Sequence, residues 1–411
     1  MPLSRQSSCI EEMSNLHNIN KMDRVYLCLA HMSGNEMKYI KEAFDTNWVV
    51  PLGPNVDAFE AELEKFVGEG KKVVALASGT AAMHLAMVAL GIGKGDEVIC
   101  QSFTFAASCN PALYLGATPV FVGSEDKTWN IDPNKLEDAI KHRMKATGRK
   151  PKAIVPVYMY GMPAYIDDLM EIANRYDIPV IEDSAEAFGS LYKGRMTGTF
   201  GRFGIMSFNG NKMITTSGGG ALICPDEATK KKVMFYATQA REPMPYYLHK
   251  EVGFNYRMSN VCAGIGRGQM TIIEDHLSHH RRIAKMYAEA FSGIEAIKMH
   301  TEPESFMRPN YWLSTITFET ADSQRPYSPG EDIEPCGIVK KAMDALAAQG
   351  IESRPLWRPM HTQPLYKDAP AYVDGTCERL FRKGLCLPSG PCVTDNDVER
   401  VISILKDCVE K

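Results

Sequence analysis

The sequence has no continuous run of 18 apolar residues. Its best candidate, Ala81 to Gly93, is shorter than a bilayer crossing and is interrupted by His84, so we predict no membrane span. An excess of basic residues is also absent, because 46 Lys and Arg stand against 50 Asp and Glu, a formal net charge of −4. Proteins that neutralise many phosphates usually carry a basic excess, so we predict no nucleic-acid partner.

The 11 cysteines include no Cys-x-x-Cys pair and are spread from Cys9 to Cys408. A disulfide framework or a structural zinc site would cluster them, so we predict free thiols and no metal site. Residues 1–23 lack the apolar core of a signal peptide, and we interpret them as an N-terminal extension. Together these features favour a cytoplasmic protein.

The composition, 45% hydrophobic and 23% charged over 411 residues, is that of an ordinary globular protein. From Lys72 to about Ile223, short apolar segments alternate with helix-like segments. Apolar strands separated by helices indicate a sheet buried on both faces, hence an α/β fold with mostly parallel strands flanked by helices. Beyond a long helical segment that ends near Phe291, the pattern becomes mixed α+β. We therefore predict a large domain over residues 24–290 and a smaller C-terminal α+β domain over residues 291–411.

Ligands of such folds bind at the carboxyl ends of the strands, so the strand-to-helix junctions are candidate sites. One junction, Ala77-Ser78-Gly79-Thr80-Ala81-Ala82, joins a tight turn to a helix start, where free N–H groups can hold a phosphate. At another, four apolar residues end in Glu182-Asp183. A carboxylate there is costly to bury, so Asp183 needs a cationic partner or a protonated ring nitrogen. Helix N-capping is the alternative interpretation of both junctions.

A third segment, SFNGNKMITTSGGGAL, places Lys212 among small polar residues and glycines in a stretch otherwise typical of a sheet core. Restricted solvation makes a lysine amine a usable nucleophile towards a carbonyl group, whereas most isolated lysines are solvated surface residues. The segment HLSHH, with His276, His279 and His280, has the spacing of a helical metal site. Since basic residues follow and no carboxylate-rich surroundings are evident, we interpret these histidines as a solvated helix face.

The order of these segments along the chain is more specific than any one of them. A phosphate-binding turn, an aromatic strand end at Ser102-Phe103-Thr104-Phe105, an Asp and then Ser207-x-x-x-x-Lys212 together resemble a pyridoxal-phosphate site. The sequence resembles the DegT/DnrJ/EryC1/StrS nucleotide-sugar aminotransferases and, among them, the UDP-4-keto-6-deoxy-N-acetylglucosamine aminotransferases of the bacillosamine type. The resemblance runs from Arg24 to the C-terminus and is also carried by LAHMSGNE, NWVVPLG, GFNYRMSN, IESRPLWRPMHTQP and GLCLPSG.

This resemblance implies the fold-type-I transferase fold, similar to aspartate aminotransferase, with pyridoxal 5'-phosphate as cofactor. Lys212 would bond to the cofactor aldehyde and, once released, move a proton between substrate and cofactor carbons. Asp183 would keep the pyridine nitrogen protonated, Phe105 would stack on the ring, and Glu186 would lie beside it. The phosphate would be held by Gly79, Thr80, Ala81 and Ser207 and, from a neighbouring subunit, by Asn255.

The resemblance also implies that an amino group passes from L-glutamate to the C4 keto group of a UDP-linked 4-keto sugar in a homodimer with shared active sites. The substrate would meet Trp48, Arg354, Trp357 and His361. Two alternatives remain, a pyridoxamine-dependent sugar dehydratase, in which His typically replaces the lysine, and a non-catalytic cofactor-binding regulator. Tyr158 and Phe188 stand where relatives often have His, which leaves details of substrate or cofactor contact open.

Overall fold

The computed structural model describes residues 24–324 and 333–410, so the N-terminal extension over residues 1–23 lies outside the described part. The strands, in chain order, are β1 (Lys72–Leu76), β2 (Glu97–Gln101), β3 (Thr118–Val122), β4 (Ala153–Val155), β5 (Ile181–Asp183), β6 (Leu191–Tyr192), β7 (Arg195–Met196), β8 (Phe203–Ser207), β9 (Gly220–Cys224), β10 (Ile297–Met299), β11 (Met307–Arg308), β12 (Ser314–Phe318), β13 (Arg354–Pro355), β14 (Ala371–Tyr372) and β15 (Gly384–Leu387).

The α-helices are α1 (Glu36–Asp45), α2 (Pro54–Val67), α3 (Gly79–Ala89), α4 (Asn110–Tyr114), α5 (Pro133–Thr147), α6 (Ile166–Arg175), α7 (Glu227–Ala237), α8 (Asn260–Met270), α9 (Ile273–Phe291), α10 (Gly337–Ala348), α11 (Thr376–Lys383) and α12 (Asp395–Glu410). Within the described ranges, no helix combines the length and the apolar composition that a bilayer crossing requires.

The central sheet is built from two four-stranded parts with the orders β1-β9-β8-β5 and β4-β2-β3-β14. Parallel bridges between Ile154 and Val180 and between Val157 and Asp183 connect the two parts side by side. Neighbouring strands are parallel from β8 to β14, and only β9 runs antiparallel to its neighbours β1 and β8. The prediction of a mixed, mostly parallel α/β sheet is confirmed.

Side chains of successive residues in the central strands point to opposite faces, and helices cover both faces. In β1, Val74 and Leu76 pack into a core cluster with Leu85 of α3. Val73, on the other face, packs with Phe59 of α2. Because both faces are covered, nearly every strand residue is apolar, which is why the strands appear as uninterrupted apolar segments in the sequence.

A second, antiparallel sheet with the order β10-β12-β15-β13 lies in the C-terminal part of the chain. Its inner side packs with the second half of α9 and with α10 and α12 in a separate core cluster, which includes Tyr287, Ile316 and Leu385. Val25 belongs to the same cluster and forms a parallel bridge with Ile351. The chain then returns to the central sheet, where β14 pairs with β3.

The histidines of HLSHH do not form a solvated face, so that interpretation is wrong. His276 and His280 lie one turn apart on the buried side of α9, together with Leu277. Their ring nitrogens hydrogen-bond to the carbonyl oxygens of Met213 and Tyr311, at 2.9 and 3.1 Å. Burial lowers the pKa of His280 to about 3, so this ring is neutral. Among the described residues, no three His, Cys, Asp or Glu side chains are placed to hold a metal ion.

Tyr158 and Phe188, the two departures from the family pattern, are fully enclosed core residues. The Tyr158 hydroxyl donates a hydrogen bond to Glu182, whose carboxylate also accepts the N–H groups of Gly198 and Gly201, at 2.8 and 2.5 Å. Burial raises the pKa of Glu182 despite these donors. Tyr158 therefore compensates a buried acid behind the sheet edge.

Replacing Tyr158 with Phe should destabilise the fold, because the buried Glu182 carboxyl would lose a donor that water cannot replace. We expect Y158F to lower the free energy of unfolding by about 1–3 kcal/mol, as measured by chemical denaturation. Tyr176→Phe is the matched control, since its hydroxyl bonds to Glu137 in solvent, and this change should cost clearly less. Equal losses in the two variants would contradict a structural role for Tyr158.

Candidate active site

A cavity of about 480 Å³ opens where β1, β5 and β8 end, which is the expected edge of the central sheet. Eight of the residues predicted from the sequence to bind cofactor or substrate line it: Gly79, Thr80, Phe105, Asp183, Glu186, Ser207, Lys212 and Trp357. The topology brings them together from segments that lie up to 278 residues apart in the chain, between Gly79 and Trp357.

One end of the cavity is formed by the start of α3. The Ser78 hydroxyl caps the helix by accepting the Ala81 N–H, at 3.0 Å. The N–H groups of Gly79 and Thr80 precede the first closed turn and have no acceptor within the helix. A Cβ at Gly79 would lie 3.3 Å from Cβ of Ser207, so a side chain there would crowd the Ser207 hydroxyl. The start of α3 is therefore capped and can still bind an anion, because the cap uses only the Ala81 N–H.

Asp183 also lines the cavity. Its carboxylate accepts hydrogen bonds from the Ser108 hydroxyl, at 2.7 Å, and from the Ala185 N–H, at 3.1 Å. The Ser108 hydroxyl is in turn 2.8 Å from that of Thr104. Burial raises the pKa of Asp183, and these donors together with the charge of Lys212 offset only part of the effect. The carboxylate is thus prepared for a further cationic partner inside the cavity.

The Lys212 side chain lines the same cavity and is only 14% exposed. Its Nζ is 3.7 Å from Oε1 of Glu186 and 3.7 Å from the centre of the Trp312 ring. Glu186 also accepts the Tyr160 N–H, at 2.8 Å, and burial raises the pKa of its carboxyl group. The structure thus shows a poorly solvated Lys212 side chain, as the sequence suggested.

An aromatic wall closes one side of the cavity. Phe105 and Trp357 pack with ring centres 5.2 Å apart, and Trp357 lies parallel to Tyr160 at 6.4 Å. The backbone N–H of Trp357 donates to the Tyr160 hydroxyl, at 2.8 Å. Phe105 nevertheless remains 54% exposed, so the described chain leaves the mouth of the cavity open at this ring.

Five predicted site residues do not line the cavity, among them Ala81, whose N–H is taken up by the helix cap. His361 is held between the Ser102 hydroxyl, at 2.6 Å, and Oε1 of Glu378, at 3.0 Å. The other three are exposed: Trp48, Arg354, which pairs with Glu352, and Asn255. In a single chain, then, seven of the nine predicted cofactor residues line the cavity, and of the predicted substrate residues only Trp357 does.

Sequence reasoning did not identify Ser108 or Trp312 as site residues. The hydroxyls of Thr104 and Ser108, four residues apart after a strand end, were a signal that could have indicated Ser108. Trp312 follows Lys212 by 100 residues and comes from the turn before β12. No local pattern connects it with the lysine, because only the tertiary fold places them together.

Comparison with known proteins identifies the family. The model of the DegT/DnrJ/EryC1/StrS aminotransferase family matches residues 30–406. The chain belongs to this family. It is 45% identical to EpsN of Bacillus subtilis, by name a provisional pyridoxal phosphate-dependent aminotransferase, over 93% of this chain and 95% of the relative. It is 36% identical to the GDP-perosamine synthase of Caulobacter vibrioides, over 94% of this chain and 99% of that enzyme.

A solved structure shows the same architecture. A DegT/DnrJ/EryC1/StrS aminotransferase from Brucella abortus superposes with a TM-score of 0.82 and 28% identity, covering 92% of this chain and 96% of that one. The fold is therefore the fold-type-I transferase fold. The chain is a sugar aminotransferase of this family, and its cofactor is pyridoxal phosphate.

The residues of the cavity fit this cofactor. The start of α3 with Thr80 and Ser207 offers donors for a phosphate, and the buried Asp183 carboxylate suits a protonated pyridine nitrogen. Lys212 lines the same cavity. A side chain at Gly79 would fill part of the phosphate end, which explains why a glycine is needed there.

Burial of Asp183 has a measurable consequence in the cofactor-free protein. Because its pKa is raised above the ordinary value of 3.8, the folded state holds the proton more tightly than the unfolded chain does. This favourable contribution is complete below pH ~4 and is lost as the pH rises through the folded-state pKa. We expect the free energy of unfolding of wild type minus that of Asp183→Asn to fall as the pH rises above about 4. A constant or rising difference would contradict this.

Proposed function

We propose that the enzyme transfers the amino group of L-glutamate to C4 of a nucleotide-linked 4-keto-6-deoxy sugar. The substrate we favour is UDP-4-keto-6-deoxy-N-acetylglucosamine, for a bacillosamine-type glycan or polysaccharide. The observation that carries the proposal is that the Lys212 amine, the Asp183 carboxylate and the α3 N-terminus open into one cavity. Such a cavity serves transfer of an amino group to a carbonyl carbon.

The residues of the chain have distinct tasks in this reaction. Bound pyridoxal phosphate supplies an electron sink for bond changes at the carbon that carries nitrogen. Asp183 would hold a proton on the pyridine nitrogen, since its buried carboxylate gains a counter-charge in this way. Lys212 would hold the cofactor and carry the proton between carbons. Gly79, Thr80 and Ser207 would fix the phosphate, and Phe105 would stack on the ring.

The substrate assignment rests on the sequence resemblance. We propose that the substrate side is formed by Trp48, Arg354, Trp357 and His361. Trp357 lines the cavity. His361 hydrogen-bonds to Ser102, the residue after β2, and would act through it. The relatives named GDP-perosamine synthases favour a GDP-linked sugar as the second candidate. The fold distinguishes neither nucleotide, so both belong in the same experiment.

We further propose a homodimer in which Asn255 reaches the phosphate of the neighbouring subunit. Support comes from large apolar side chains that are exposed in the single chain, in residues 48–52 and 244–252 and at Phe105. Exposed apolar surface of this kind is typical of an interface. Asn260 fixes the first of these segments to the start of α8, because its side chain bonds to the Trp48 carbonyl and its backbone N–H to the Val50 carbonyl.

The alternatives are weaker but testable. Retention of Lys212 argues against a pyridoxamine-dependent dehydratase, in which His typically takes that place. A non-catalytic regulator would not need both Lys212 and Asp183 in the cavity. We also propose a cytoplasmic location, which the cysteine pattern of the sequence favours.

Mass spectrometry of the reaction products tests the function. Supplied with glutamate and UDP-4-keto-6-deoxy-N-acetylglucosamine, the wild type should form a UDP-amino sugar and 2-oxoglutarate. Lys212→Ala should lower the rate about 100- to 10,000-fold, while the surface variant Lys285→Ala should match wild type. Amination of the GDP-linked sugar alone would replace the proposed nucleotide. A deoxygenated sugar, or no product from either, would overturn the aminotransferase assignment.

Mixing two impaired variants tests the shared site. Lys212→Ala and Asn255→Ala should each be poorly active alone. In a mixed dimer, one site would combine the intact Lys212 of one subunit with the intact Asn255 of the other. Random mixing should therefore restore roughly a quarter of wild-type activity, half the dimers being mixed with one good site each. No recovery after unfolding and co-refolding would show that Asn255 serves its own subunit or none.

A further inference from the structure

Lys212 has two close neighbours in the cavity. The Glu186 carboxylate and the face of the Trp312 ring both lie 3.7 Å from its amine. A carboxylate and an aromatic face each attract a cation, the second through the quadrupole of the ring. The amine therefore lies close to two groups that attract a cation.

Both neighbours are held in place by hydrogen bonds and ring contacts. The Trp312 indole N–H donates to the Asn211 carbonyl, at 2.6 Å, and its ring lies nearly parallel to Tyr160. The fully buried Asn310 joins the two sides. Its Oδ1 accepts the backbone N–H of Trp312, at 2.8 Å, and its Nδ2 donates to the backbone carbonyl of Glu186, at 3.0 Å.

The local backbone makes room for this connection. Gly161 has φ +94°, and a Cβ there would meet Oδ1 of Asn310 at 1.8 Å. A side chain at this position would displace Asn310 and with it the link between Trp312 and Glu186. The chain thus holds a carboxylate and an indole in fixed positions around one lysine.

We propose that Glu186 and Trp312 form a resting site that holds the Lys212 ammonium whenever the lysine is not bonded to the cofactor. This inference deepens the proposed function and rests on it. During transfer, Lys212 must leave the cofactor and later return. A free lysine loses rotamer entropy when it is held, so a preformed site is needed to keep the amine close instead of at the open mouth. Asp183 is the other acid that faces the lysine, and it is engaged by Ser108 and Ala185.

Competitive acetylation of the cofactor-free, full-length chain tests the resting site without reference to turnover. Limiting acetic anhydride reacts only with neutral amines, and peptide mass spectrometry reports each lysine. We expect Glu186→Gln and Trp312→Leu to raise the acetylation rate of Lys212 roughly three- to tenfold at neutral pH. Trp312→Phe keeps a ring face and should give an intermediate rate, which a merely structural role for the indole would not.

The matched control is Glu60→Gln. Glu60 is also a buried acid, 2.8 Å from the Lys230 amine, and lies outside the cavity. This variant should raise the acetylation of Lys230 and leave Lys212 unchanged. The resting site would be overturned if Lys212 reacted equally fast in wild type, E186Q and W312L while Lys230 responded in E60Q. A failure of the proposed function would appear separately, as absence of amine transfer by wild type with normal protection of Lys212.

Discussion

A carboxylate buried at the end of a parallel strand must be compensated, and the two acids that end β5 are compensated in opposite ways. Successive strand residues point to opposite sides. Glu182 points into the protein and is satisfied by Tyr158 and two backbone N–H groups. Asp183 points into the cavity, where Ser108 and Ala185 compensate it only in part. The remaining need is met when a cation enters the cavity, which connects the location of the acid to cofactor binding.

The rest of the site is arranged around this carboxylate. The α3 N-terminus would offer positive dipole ends to a phosphate, and Asp183 would offer negative charge to a ring nitrogen in the same cavity. Lys212 lines this cavity from the loop that follows β8. The aromatic wall comes from both parts of the protein, since Phe105 follows β2 and Trp357 follows β13. Cofactor binding and substrate access therefore depend on how the second sheet sits against the first.

Much of this arrangement could be predicted from the sequence because parallel strands end at a common edge. From that rule one expects Gly79, Asp183, Ser207 and Lys212 to meet, and in the structure all four line one cavity. The rule fails for side chains that arrive from the second sheet, so it could not find Trp312. It also fails for polar residues that are buried by helix packing. His276 and His280 look like surface residues in the sequence, yet each has a carbonyl partner that only tertiary structure supplies.

The pairing of β14 with β3 has a further consequence. After β13 the chain leaves the second sheet, adds β14 to the outer edge of the central sheet and then returns through α11 to β15. Near the other end, Val25 pairs with Ile351. The chain therefore crosses between the central sheet and the second sheet more than once, and neither sheet is formed by one continuous stretch of sequence. These connections limit rigid-body separation of the two sheets. One of them, between β13 and β14, carries Trp357.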